Sequence, residues 1–120
     1  MDTRDFESLV EKVITELPDA VKDHMMNVDI VLEERPTAEQ LVGSGIEKDQ
    51  LLLGLYEGLP LTERHDYGMV LPDKITLFKE QIETVCQNIS EVEIEIRNTV
   101  IHEIAHHFGI VEERLEMLEN

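Results

Sequence analysis

The chain has 120 residues, 42% of them hydrophobic, which is enough for one globular domain with a single modest core and too apolar for a disordered segment. Its 27 acidic and 10 basic residues give a formal net charge of −17. That excess argues against DNA or RNA as a partner, because phosphate recognition rests on Lys and Arg; it describes a well-solvated surface, with a preference for basic substrates as the sharper alternative. One cysteine, Cys86, excludes an internal disulfide and fits a reducing cytoplasm. The acidic start Met1 to Asp5 has no apolar run behind it, and no segment approaches membrane-spanning length. The expected location is therefore cytoplasmic, with no membrane partner.

In chain order, Phe6, Leu9, Val10, Val13, Ile14 and Leu17 follow helical spacing and predict an amphipathic helix that ends near Pro18. Val28, Ile30 and Leu32 alternate with Asp29, Val31 and Glu33, the pattern of a half-buried strand ended by Pro36. Residues 37–48 read as a turn-rich connection with one helical turn at Ala38 to Leu41. Leu51 to Tyr56 is the most apolar strand candidate and is expected to be central. Leu59 to Gly68 is a polar loop, Lys74 to Phe78 a third strand, and Leu77, Ile82, Val85 and Ile89 suggest a helix leading onward. Cys86 falls in that apolar stretch as a core-packing residue, and His24 reads as solvated. No repeat, low-complexity tract or second domain is visible, so residues 1–120 form one domain.

The most informative stretch is His102-Glu103-Ile104-Ala105-His106, an H-E-x-x-H pattern. On a helix, His102 and His106 share one face, where two neutral imidazoles can reach one Zn²⁺. Glu103 lies beside that face, placed to accept a proton from water. Ser90-Glu91-Val92-Glu93 reads as a capping box flanked by an Ile89 and Ile94 staple, which predicts a helix over Glu91 to Phe108 with Gly109 at its C-terminal cap. Glu91 to Ile96 also alternates as a strand would, but the cap, the helix preference of glutamate and the stripe Ile94, Ile101, Ala105, Phe108 favour helix. Ile96, Val100 and Ile104 make a second apolar side, so the helix is expected to be central and buried.

Catalytic zinc sites normally take three protein ligands. Gly109 can turn the chain back, and Glu112 follows three residues later, with Glu113 as the neighbouring alternative. Weaker candidates are Tyr67 and His65, in a loop that could fold over the site and supply an oxyanion donor or a partner that orients a ligand. Glu95 and Thr99 fall on the His102 side of the helix, and His107 points about 100° away from the metal face, as a packing residue or one that supports a ligand from behind.

These residues resemble the small bacterial zincin-like metallopeptidases, sometimes called minimal zincins. The resemblance is strongest over Leu52 to Gly58, Val70 to Phe78 and Thr99 to Glu112. It implies an α/β (α+β) single-domain fold, a small mixed sheet packed on an active-site helix and a backing helix. It also implies Zn²⁺ as cofactor, a peptide or protein as substrate, and an acidic third ligand at the position of Glu112, more often aspartate. Longer zincins carry a Met-turn under the metal; Met117 lies in a short terminal helical pattern and is not assigned that role. The expected activity is zinc-dependent peptide hydrolysis with Glu103 as general base. It is expected to be modest, because an anionic Glu112 makes zinc a weaker Lewis acid than a third histidine would. The alternative is a zinc-binding structural or interaction domain with little or no hydrolysis. A metal-free acidic partner-binding domain is the third reading.

Overall fold

A computed structural model describes residues 1–47, 49–58, 72–112 and 114. The elements in order are α1 (Thr3–Thr15), α2 (Asp19–Asp23), β1 (Val28–Glu33), α3 (Ala38–Ser44), β2 (Gly54–Glu57), β3 (Asp73–Phe78), α4 (Lys79–Thr84) and α5 (Ile89–Phe108). The strands form a mixed sheet in the order β1-β3-β2, with β1 parallel and β2 antiparallel to β3. Helices and a small mixed sheet around one core make the α+β zincin-like fold anticipated from the sequence. No helix among the described residues is long and apolar enough to cross a membrane.

The core lies between one sheet face and the pair α1 and α5. Phe6, Val10 and Val13 of α1, with Leu17 just after it, meet Ile96, Val100, Ile101 and Ile104 of α5, and Ile75 and Leu77 of β3 close the layer. Each fully buried Ile or Phe here stabilises the fold by roughly 1.5–3 kcal/mol. Lys12 and Glu93 pair at 2.9 Å across the rim of α1 and α5. Both are partly solvated, so the pair adds little to the apolar contact. Thus α1 backs α5, as its spacing predicts.

Several local expectations are corrected. β3, not the segment Leu51 to Tyr56, is the central strand. Only Gly54–Glu57 pairs, at the sheet edge, while Leu51 remains 42% exposed along a groove. The cap of α5 is Asn88, two residues before the expected Ser90. Its side chain accepts from Glu91 N at 2.9 Å, and Glu91 accepts in return from Gln87 N at 3.1 Å. Ile89 and Ile94 are both largely exposed and staple nothing. The helical run expected through Leu77, Ile82, Val85 and Ile89 is divided: Leu77 is in β3, Ile82 is buried in the short α4, and Val85 lies exposed between helices. Cys86 sits in the same break, half-buried against the core, where burial pushes its thiol up.

The single turn expected at Ala38 to Leu41 is a longer helix, with a Thr37/Gln40 capping box and Gly45 in the left-handed conformation. His24 is partly buried rather than solvated, with Nδ1 2.8 Å from Ala20 O and its ring 5.0 Å from that of Phe108. The loop Leu59 to Gly68, Glu113 and Met117 lie outside the described residues.

Candidate active site

α5 carries the H-E-x-x-H stretch in its last two turns. It is not buried all round: Ile94 is 57% and Phe108 43% exposed, while Val92, Ile96, Val100, Ile101 and Ile104 point inward. The inward set fixes the helix on the core, and the opposite arc carries polar residues to the surface. His102 and His106 lie on that arc, both exposed, with ring centroids 6.2 Å apart. Gly109 ends the helix at φ +67, ψ 32, and Ile110 N donates to Ala105 O at 2.9 Å. This left-handed turn is costly for any residue with a Cβ. It sends Ile110 back toward the core and returns Glu112 to the histidine face, where His102 Nδ1–H donates to Glu112 Oε1.

Glu103 occupies a different environment. It is half-buried, and its Oε1 accepts from the backbone N–H of Tyr56 at 2.9 Å. Burial pushes its carboxyl above the ordinary carboxylate range; the Tyr56 N–H and the neighbouring His102 and His106 pull the other way. Leu53 O accepts from Phe78 N on the β3 side of the sheet. By the alternation of an antiparallel pair, Gly54 and Tyr56 then turn their backbone groups outward. Glu103 therefore takes a hydrogen bond from the outer edge of β2.

The close fit of β2 against α5 depends on Gly54. A Cβ at this position would lie 2.5 Å from Thr99 Cγ2 and 3.3 Å from Thr76 O. Tyr56 was not singled out by the sequence, yet it joins three parts of the site. Besides holding Glu103, its ring stacks on His107 at 3.8 Å and 13°, and its hydroxyl donates to Asp73 Oδ2 at 2.6 Å. Its signal in the sequence is its place in the Leu52 to Gly58 stretch. His107 is thus a packing residue, as its angle on the helix implies. His65, Tyr67 and Glu113 fall outside the described residues.

The groove beside these groups, about 550 Å³, is bounded by Ile46, Leu51, Leu52, Leu53 and Gly54 on one side and by Glu95, Asn98, Thr99, His102, Glu103 and Glu112 on the other. Among the described residues, no three His, Cys, Asp or Glu side chains converge as a formed metal cage. The donor types nonetheless suit a zinc ion: two imidazoles on one helical face, with a carboxylate already in contact with one of them.

A family model described as zincin-like metallopeptidase matches residues 25–120, and the chain belongs to that family. Among solved structures it is similar to a conserved hypothetical protein from Thermus thermophilus, 24% identical, over 90% of this chain and 94% of that one, with a TM-score of 0.58. At that identity the likeness is one of fold. No curated protein matches the chain.

Proposed function

We propose that the protein is a zinc-dependent peptidase in which Glu103 is the general base and His102, His106 and Glu112 hold the metal. The observation that carries this reading is the anchored Glu103 carboxylate, fixed by Tyr56 N–H beside two solvent-facing imidazoles. Zn²⁺, when bound, supplies a Lewis acid that acidifies water and polarises the scissile carbonyl. Glu103 accepts the proton of the attacking water and delivers it to the leaving amine. In the metal-free chain burial raises its proton affinity, which favours the proton-accepting step. The Tyr56 N–H keeps one oxygen fixed, so the carboxylate need not be ordered during the reaction.

Of the two sheet edges, β2 borders the groove and β1 lies at the far side of the sheet. A peptide would lie extended along β2, using the outward backbone groups of Gly54 for strand pairing. A second reading keeps the metal and drops the hydrolysis. It is favoured by the same Tyr56 to Glu103 bond, which could serve solely to tie α5 to β2.

One experiment separates the two: incubation of the zinc-loaded protein and its Glu103→Gln variant with a mixed peptide library, with products read by mass spectrometry. Peptidase function requires cleavage by the parent and a loss of about 10²-fold or more in the variant at unchanged zinc content. No product from either selects the structural reading, and equal product from both removes Glu103 as the base.

A further inference from the structure

We propose that Glu95 makes this groove select a lysine or arginine side chain next to the scissile bond. The proposal rests on the hydrolytic reading above and adds the substrate class to it. The groove does not stop at His102. It continues along α5 toward the helix N-terminus, past Thr99 to Glu95. Seven residues, or two helical turns, separate Glu95 from His102, a rise of about 10 Å. Among the described residues the facing wall is Ile46 and Leu51 to Leu53, all of them uncharged.

A side chain that enters here from the reaction point first runs between aliphatic residues and then meets a carboxylate. One residue of extended backbone covers about 3.3 Å of the rise, and a long stem must cover the rest. Lysine and arginine have such a stem, apolar along its length and cationic at its tip. Norleucine fills the apolar part only, and glutamate is too short and of the wrong sign.

The state of Glu95 distinguishes it from the chain's general acidity. Glu93, two residues away, is paired with Lys12 at 2.9 Å on the other side of the helix. Glu95 is half-buried, and among the described residues no Lys or Arg pairs with it. Among the described residues no Lys or Arg lines the groove either, and the charged groups there besides His102 are Glu95, Glu103 and Glu112. Glu103 and Glu112 already have partners in Tyr56 and His102. The cationic end of a substrate is the group that would complete Glu95.

The test measures kcat/KM of the zinc-loaded full chain on quenched peptides that differ at one position, carrying Lys, Arg, norleucine or Glu. Parent, Glu95→Gln, Glu95→Lys and the remote charge control Glu11→Gln are compared. The expected result is a preference of about tenfold or more for Lys and Arg over norleucine in the parent and in Glu11→Gln. In Glu95→Gln the preference falls to near parity, and Glu95→Lys favours Glu. Cleavage without a basic preference, or a preference that survives in Glu95→Gln, overturns the role of Glu95 and leaves the peptidase reading standing.

A binding arm decides the matter without turnover. It measures fluorescence anisotropy of dye-labelled Lys and norleucine peptides on zinc-loaded Glu103→Gln, with and without Glu95→Gln. A Lys preference lost on the second substitution supports the proposal even where no peptide is cleaved. Equal affinity for the two peptides overturns it.

Discussion

The backbone N–H of Tyr56 donates to Glu103 Oε1 at 2.9 Å, joining the outer edge of β2 to the carboxylate that lies in sequence between His102 and His106. Strand and helix therefore cannot shift relative to each other without moving this carboxylate. The same tyrosine stacks on His107 and bonds Asp73, so its ring and hydroxyl brace the end of α5 against the sheet.

Glu103 makes the stability of the metal-free protein depend on pH. Burial, the largest cause, raises its carboxyl above the unfolded value. Below the ordinary carboxylate range both states hold the proton and Glu103 costs nothing. As pH rises through the unfolded value toward the raised folded one, the unfolded chain releases its proton first, and stability falls. Glu103→Gln in chelator should therefore have a higher urea midpoint than the parent at pH 7, and the difference should shrink at pH 4. A parent more stable than the variant at pH 7 would show that the Tyr56 N–H and the imidazoles outweigh burial.

The proposed ligand set makes a prediction of its own. Zinc by elemental analysis should be about one per parent chain, reduced in His102→Ala, His106→Ala and Glu112→Ala. Glu112→Gln separates two uses of this carboxylate. If Glu112 serves only to orient His102 through Nδ1, the amide oxygen can still accept that bond and zinc affinity should fall little. If Glu112 is itself a ligand, loss of its charge should cost more than the roughly 10–100-fold typical of losing an outer-shell partner.

Gly54 and Thr99 should be energetically coupled. Gly54→Ala puts a methyl group 2.5 Å from Thr99 Cγ2 and should cost about 1–3 kcal/mol, as overpacking does. Thr99→Ser removes that methyl. The double variant should recover part of the loss, and denaturant unfolding of all four proteins gives the coupling. Strict additivity would show that the clash at Thr76 O, not at Thr99, dominates.

The start of α5 gives a local test. Asn88→Ala removes the side chain that accepts from Glu91 N and should destabilise by about 1 kcal/mol. Ser90→Ala, within the first turn, should be near neutral or slightly stabilising. The reverse ranking in thermal unfolding would restore Ser90 as the cap.

The sequence by itself determined what depends on local spacing. The i, i+3, i+4 pattern from Phe6 to Leu17 is enough to place α1, because those side chains can share only one helical face. The four-residue interval of His102 and His106 puts two imidazoles on one arc, and Gly109 supplies the left-handed turn that returns Glu112. The strand-like alternation of Glu91 to Ile96 did not mislead, since Val92 and Ile96 are the inward pair of a helix and Ile94 is left in solvent.

Only the tertiary structure decided what depends on which elements meet. Leu51 to Tyr56 looks central because it is the most apolar run, yet β3 takes the middle of the sheet and the leucines become a groove wall. Asn88 and Ser90 are both good cap residues, and the chain's entry direction chose the first. The partnership of Tyr56 N–H with Glu103 spans 47 residues. It rests on a backbone donor at a sheet edge, which every non-proline residue owns and no side-chain pattern reveals.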